Sequence, residues 1–370
     1  MRRHCESLAR HGWRVYQLGL AGDGEGSVAR LNGVVLLRWR RPRYRGRRIF
    51  RYLQAYGGFL IWARRMLARL GRRRPIRVVQ VNNLPNFMVW CASGVRKRGG
   101  RVLLDMHDPE PELFASKWGA RPGASAVRRG LERIERAAAR AADATVCVHE
   151  PMRALLERRG TGGGGLRVVI NAPDAALFPR LAPRRARPGL IYHGTVAHRM
   201  GLEVVIDAVA ALAAGGRDVR LAIIGDGDAV ADLQRRSAAC GVADRVSIPG
   251  RRFRLEEMLP MFREAGVGIV PVRRDVFTDL MLPTKLLEYA RLGIATAVTW
   301  TPTIGHYFPE DTVYFIREFT VAGVAATLAR IVDAPADAAT RAGRAQALPI
   351  ARPWQDLEED YVALIEAVAG

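Results

Sequence analysis

The chain has 370 residues, 49% of them apolar, and a formal charge of +22, so it is long enough for two domains, each with its own core. It has no run near the roughly 18 consecutive apolar residues of a membrane helix, no apolar segment behind its charged N-terminus to suggest a secretory leader, and four cysteines (Cys5, Cys91, Cys147, Cys240) whose spacing suits neither a metal site nor a disulfide framework, which fits a reducing cytoplasm. Residues 1–100 hold 23 Arg and Lys against 3 Asp and Glu, a net +20, whereas residues 201–370 sum to −5, so one half of the protein is expected to face something anionic.

Residues 4–12 read as the end of an amphipathic helix closing at Gly12, and Trp13 to Leu18 as a strand. Arg38 to Arg48 packs seven arginines around Trp39 and Tyr44. Phe50 to Leu70 then alternates apolar residues with arginines at roughly helical spacing, interrupted by Gly57-Gly58. A basic, aromatic-rich loop before an amphipathic helix suits the surface of an anionic bilayer. Nucleic acid and a plain solvated loop are the alternatives; the bilayer is the expected partner, and nucleic acid is not. Val78 to Val81 is a strand ending in Asn82-Asn83-Leu84-Pro85. A helix over Asn86 to Arg98 leads to the strand Arg101 to Asp105, which ends in Met106-His107-Asp108. Glu112 and Lys117 follow in a loop where they can pair with each other. Residues 125–141 are helical, Ala144 to Val148 a strand, Pro151 to Arg159 a helix, and Gly162 to Gly165 a turn before the strand Leu166 to Ile170.

Pro173 to Gly189, rich in Pro and Arg, reads as a linker. The alternation restarts with the strand Leu190 to His193, a helix near 201–214 and the strand Arg220 to Ile224 closing on Gly225-Asp226-Gly227. A helix near 228–240, the strand Arg245 to Ile248, a helix near 255–264 and the strand Val267 to Val270 follow, and Asp356 to Val368 is an acidic terminal helix. This pattern predicts an α/β protein of two Rossmann-like, doubly wound domains. The ligand site is expected in the cleft between them, outside the carboxyl ends of the strands. The domain boundaries are placed at 1–185 and 186–350, with a C-terminal helix in 351–370.

Thr278 to Thr299, TDLMLPTKLLEYARLGIATAVT, carries the densest chemistry. Pro283 suits a first helical turn, the helix should stop at Gly293, and Ile294 to Val298 should be a buried strand. A helix N-terminus offers free N–H groups and a positive dipole end to phosphate. Lys285 and Glu288, three apart, share a face near it: a cation for a diphosphate and a carboxylate for ribose hydroxyls, or else an ordinary ion pair. Asp105 and His107 alternate to one face at a strand end; a hydrogen bond from His107 to Asp108 or Glu110 is its plain alternative. Gly225-Asp226-Gly227 lacks the rest of a dinucleotide fingerprint, so its glycines should admit a nucleotide base or close a tight turn. With no Asp-x-Asp motif placed where it could hold a metal and a diphosphate, and no His/Cys/Asp ligand cluster, no metal or other cofactor is expected, and a leaving group would be stabilised by Arg, Lys and helix N–H groups.

LPTKLLEYARLGIATAVT resembles the donor-binding segment of glycosyltransferase family 4. VQVNNLPNF, LLDMHDPEPELFASKWG, HGTVAHRMGLE and PVRRDVFTDLMLPTKLLEY are similar to its bacterial surface-polysaccharide members, with Asn82 and Asn86 where those carry His and Asp. The resemblance covers nearly the whole chain and implies a GT-B fold, with residues 1–185 on the acceptor side and 186–350 binding a nucleotide-sugar. It implies that Glu288 is the second of two glutamates with seven residues between them and holds the donor ribose; the first falls at Leu280, with Asp279 one residue off register. It also implies that His107, the catalytic candidate, sits beside the transferred sugar. The cations that grip the donor diphosphate in the family fall at Thr195 and Met200. Arg199, Arg274 and Lys285 are the substitutes, Arg199 first because its fork binds phosphate bidentately, although a solvated arginine is equally compatible with the sequence. Thr284 and Gly194 complete the donor-binding set. Family members place a strand and a Gly-rich loop ahead of the segment matching RRHCESLARHGWRV, so the first N-terminal strand is expected to be missing, by truncation or by a start codon placed late.

The expected function is retaining transfer of a sugar from a nucleotide-sugar to a lipid-linked or saccharide acceptor in cell-surface polysaccharide synthesis. The expected place is the cytoplasm, peripheral at the inner face of the plasma membrane. Thr195, Met200, Leu280 and the missing strand motivate an alternative, a catalytically weak glycan- or nucleotide-binding homologue. A nucleotide-sugar 2-epimerase, which shares the architecture, is the other.

Overall fold

The computed structural model describes all residues except 1, 23–24, 42–48, 163–164 and 184–188. Most of the Arg38–Arg48 run, including Tyr44, the middle of the Gly162–Gly165 turn and the 185/186 domain border therefore lie outside the described residues. The chain forms two units, Met1–Ile170 with Asp356–Gly370, and Asn171–Gln355.

The first unit opens with α1 (Arg2–Arg10), β1 (Val15–Leu20), β2 (Val28–Leu31), β3 (Val34–Trp39) and α2 (Ile49–Arg73). β1 pairs parallel and β2 antiparallel with β3, giving a three-stranded sheet in the order β1-β3-β2. Sequence reading passed over β2 and β3, although their turn, Asn32-Gly33 with φ of 48° and 80°, is the strongest short hairpin signal in the chain. α2 runs unbroken through Gly57-Gly58. Gly58 is there for packing: a Cβ would lie 2.9 Å from the Trp39 ring. Trp39, Phe59 and Trp62 then pack on one another, with Trp62 tilted 5.4 Å from Phe59 and stacked 6.4 Å from Trp39 between ring centroids. These aromatics, expected to face a bilayer, are spent on the protein's own packing.

A second, all-parallel sheet in the order β4-β5-β6-β7 follows. It is built from β4 (Val78–Asn82), α3 (Ser93–Arg96), β5 (Arg101–Met106), α4 (Glu110–Trp118), α5 (Ala124–Ala141), β6 (Ala144–Cys147), α6 (Glu150–Arg158) and β7 (Leu166–Val168). Among the described residues, β1 and β4 each stand at the edge of their own sheet. The stretch expected as a helix over Asn86 to Arg98 begins as a 3-10 segment, Asn86–Ala92. α4 occupies what the prolines suggested was a loop, since a proline at the start of a helix lacks only an N–H that has no partner there anyway. Glu112 does not pair with Lys117. It accepts a forked bond from Arg159, 3.1 Å on one side and shorter on the other, and Lys117 lies 5.8 Å from the Trp118 ring.

The second unit contains β8 (Gly189–His193), α7 (Leu202–Ala214), β9 (Arg220–Ile224), α8 (Val230–Ala239), β10 (Val246–Ser247), α9 (Leu255–Glu264) and β11 (Val267–Val270). It continues with α10 (Thr284–Leu292), β12 (Ala295–Thr299), α11 (Pro302–Tyr307), β13 (Tyr314–Ile316), α12 (Val321–Asp333) and α13 (Pro335–Ala347). All six strands are parallel, in the order β10-β9-β8-β11-β12-β13. β11 and β12 are buried at every residue, as strands covered by helices on both faces must be. α10 stops at Gly293 with φ 66°, as its sequence predicts. The terminal helix α14 (Glu358–Ala369) packs on α1, β4 and β5 of the first unit. No described helix is long and apolar enough to cross a membrane.

Candidate functional site

The strand order of the second unit reverses at β8: β9 and β10 are added on one side, β11 to β13 on the other. At such a switch point the two following connections diverge and leave a crevice outside the carboxyl ends of the strands. β8 ends there in His193, followed by Gly194, and the N-terminus of α10 brings Lys285 and Glu288 to the same place.

Glu288 is not the ion-pair partner of Lys285. Its Oε2 lies 2.6 Å from His193 Nε2, and His193 Nδ1 is 2.9 Å from the Tyr289 hydroxyl, which is also 2.9 Å from the Ile191 carbonyl. Lys285 Nζ instead stands over the Tyr192 ring, 3.6 Å from its centroid, and forms no ion pair among the described residues. The Lys285 pKa is lowered to about 7, chiefly by burial; the Glu288 charge opposes the fall and the Arg199 charge adds to it. A Cβ on Gly194, at φ 113°, would come within 3.5 Å of Nζ.

Of the expected donor residues, Lys285, Glu288, Gly194 and the exposed Arg199 are brought together, and Thr284 is the exposed first residue of α10. Arg274 is engaged elsewhere, in a forked pair with Asp279 at 2.8 and 2.9 Å and 5.0 Å from the Trp300 ring. Asp279 is therefore taken as well. Met200 is 8% exposed and belongs to the core, so its position supplies no surface cation. Gly225 and Gly227 serve backbone contact: a Cβ on either would overlap the carbonyl oxygen of Gly194 or Val196, at 1.8 and 2.0 Å. The loops at 194–196 and 225–227 are joined by Val196 N to Asp226 O at 3.1 Å.

The first unit carries its own polar cluster at the ends of β4 and β5. Asp105, 1% exposed, receives Gln80 Nε2 at 2.7 Å and His107 Nε2 at 3.1 Å. Burial pushes the Asp105 carboxyl up, but the bond and charge of His107, with His4 and Gln80, pull it below its ordinary value. A carboxylate only accepts, so the His107 hydrogen sits on Nε2 and Nδ1 is its basic nitrogen. The Asn83 side chain holds the loop by accepting from His107 N at 2.7 Å and donating to Asp108 O at 2.7 Å. Thus Asp105 orients His107. Gln80, Asn83, His193 and Tyr289 were missed as orienting groups because their partners are distant in sequence; the one local signal was the polar run at the end of β4.

Residues 1–172 match the family described as Glycosyl transferase 4-like domain, and residues 187–334 match Glycosyl transferases group 1. The chain belongs to these glycosyltransferases. Among curated relatives, the transferase is 31% identical over 195 residues to alpha-D-kanosaminyltransferase of Streptomyces kanamyceticus, covering 50% of this chain and 46% of that one. It is 29% identical over 175 residues to 2-deoxystreptamine glucosyltransferase of the same organism, covering 44% and 41%. These matches span less than half the length of either relative. Among solved structures, sucrose-phosphate synthase from Thermosynechococcus elongatus aligns with a TM-score of 0.77 at 18% identity, over 99% of this chain and 92% of that one, which shows the GT-B fold.

Proposed function

We propose that this glycosyltransferase moves a sugar from a nucleotide-sugar to an anionic saccharide or lipid-linked acceptor, with retention of configuration. The observation that carries the reading is the switch point of the second unit, where Lys285 is left without a counter-ion beside a Glu288 held by a different partner. An unpaired ammonium suits a diphosphate, and an oriented carboxylate suits a ribose diol. Arg199 and the amides at the start of α10 supply further positive potential, so the leaving diphosphate is stabilised by the protein's own groups, without a metal. In the first unit, His107 serves the sugar and acceptor hydroxyls. The name of one relative points to an amine-bearing acceptor. The +20 charge of residues 1–100 favours an anionic one here.

Release of nucleoside diphosphate from a panel of UDP-, ADP- and GDP-sugars, dependent on acceptor and undiminished by chelator, tests the reaction. The donor site has a sharper signature. Because Lys285 titrates at about 7 in the free protein and a bound diphosphate stabilises its charged form, nucleoside diphosphate affinity should fall as pH rises above 7. The fall should be up to about tenfold per unit. Calorimetry between pH 6.5 and 9 should show this slope in the native protein and a flat response in Lys285→Arg. A slope that survives Lys285→Arg would place the diphosphate elsewhere.

The same proposal places the protein at the cytoplasmic face of an anionic membrane, in surface polysaccharide synthesis. α2 exposes Leu53 and Ile61, 53% and 51% accessible, on a face that also carries Arg64, Arg65 and Arg72. Apolar residues among arginines fit the boundary between headgroups and acyl chains, where each basic residue contributes about 1 kcal/mol before screening. Co-sedimentation with phosphatidylglycerol vesicles should weaken with salt and with Ile61→Glu. Equal binding to phosphatidylcholine vesicles would remove the electrostatic basis.

A further inference from the structure

The arrangement around His193 bears on how Lys285 and Glu288 can both serve a ligand. On a helix, residues three apart with opposite charges ordinarily pair, and here such a pair would cancel the two groups a nucleotide-sugar needs. Instead Glu288 Oε2 is held by His193 Nε2 at 2.6 Å, and the ammonium of Lys285 rests on Tyr192. The His193 ring cannot easily turn away. It is 6% exposed, edge-on to both Phe262 and Tyr289 at 5.0 Å, and its Nδ1 is seated on the Tyr289 hydroxyl. That hydroxyl has one proton and two neighbours. Whether it gives the proton to Ile191 O or to His193 Nδ1, Nε2 must carry a hydrogen, because the carboxylate facing it only accepts. That bond engages Oε2 and fixes the plane of the carboxylate, while Oε1 has no hydrogen bond among the described residues. Glu288 keeps 17% of its side chain exposed while His193 keeps 8%, so the histidine supports the carboxylate from behind.

We propose that His193 is a positioning residue that holds Glu288 off Lys285, fixing the carboxylate for the donor's ribose diol and leaving the ammonium for its diphosphate. The inference rests on the donor-site reading above and adds to it a residue that touches neither ribose nor phosphate. It accounts for a buried histidine at the last position of a central strand, where a merely structural role would be met by an apolar side chain.

The test compares the affinity of UDP, ADP and GDP with that of their 2′-deoxy counterparts in the full chain. The native protein should prefer the ribose form of its best ligand at least about tenfold, the lower range for one charged hydrogen bond. His193→Ala should reduce that preference to about twofold or less, and His193→Gln, whose amide nitrogen can donate to Oε2, should restore most of it. In a Glu288→Gln background, His193→Ala should cause no further loss, because the two residues act as one unit. Tyr289→Phe, which removes the seat of the ring and leaves the imidazole in place, should lower the preference even if His193→Ala fails to fold. A ribose preference unchanged in both His193→Ala and Tyr289→Phe would overturn the inference while leaving the donor site standing. A native protein that binds no nucleoside diphosphate would instead sink the donor-site reading, and this inference with it.

Discussion

Replacing Arg159 by methionine should destabilise the first unit by about 3–5 kcal/mol, the usual cost of removing one partner from a buried ion pair. Arg159 is 13% exposed and binds Glu112 with its fork, while Glu135 and Glu132 lie 3.6 and 3.9 Å away. One guanidinium therefore compensates carboxylates from α4 and α5 at the end of α6. Glu135 is wholly buried, with Thr161 at 3.3 Å from Oε1 and no hydrogen-bond partner for Oε2 among the described residues. Burial raises its pKa to about 7 against an ordinary 4.5, and Glu112 adds to the rise while Arg159 opposes it. The folded chain therefore holds a proton that the unfolded chain has released between about pH 4.5 and 7, so this group's contribution to stability falls as pH rises through that window. Urea unfolding followed by hydrogen exchange in α4 to α6 should show a lower midpoint at pH 8 than at pH 5. Glu135→Gln should flatten the difference. An Arg159→Met protein as stable as the native one would mean that the cluster is hydrated and worth little. Against a typical total of about 5–15 kcal/mol, the predicted loss is enough to leave the unit marginal.

The second large effect concerns catalysis. His107→Ala should lower sugar transfer by about 10²–10⁴ fold at saturating donor, the range for removing a positioned general acid or base. It should do so without a matching loss of stability, since the side chain is 20% exposed and its bonded partner Asp105 keeps Gln80. Asp105→Asn should also slow transfer, because an amide at that place no longer demands a hydrogen on Nε2 and the orientation of the basic nitrogen is released. Transfer by His107→Ala within about threefold of native would remove the histidine from the chemistry.

Much of this was readable from the chain. The alternation of short β-branched runs with helices gives every strand from β4 to β12, and Gly293 ends α10 where a left-handed residue must stand. Local signals fail where the deciding partner is remote. Glu288 and His193 are 95 residues apart and Glu112 and Arg159 are 47 apart, so the only partners the local sequence offers are Lys285 for Glu288, the alternative to separate donor roles, and Lys117 for Glu112. Composition misled in α2, where Phe59 and Trp62 looked like membrane anchors because nothing local reveals Trp39 packed over Gly58. The β2–β3 hairpin is different, because its Asn32-Gly33 turn is a purely local signal and was legible in the sequence.

The two glycine contacts below the donor residues have a further consequence. With Gly225 and Gly227 pressed onto the carbonyl oxygens of Gly194 and Val196, the two loops behave as a single welded plate. A donor bound at Gly194, as proposed, would therefore meet two loops whose mutual contacts are already made in the fold. Ordering two free loops on binding would cost on the order of 1 kcal/mol or more per residue fixed. Here that charge has already been met, and the affinity of the site should owe more to the few side chains standing on the plate than to any closing motion of the plate itself.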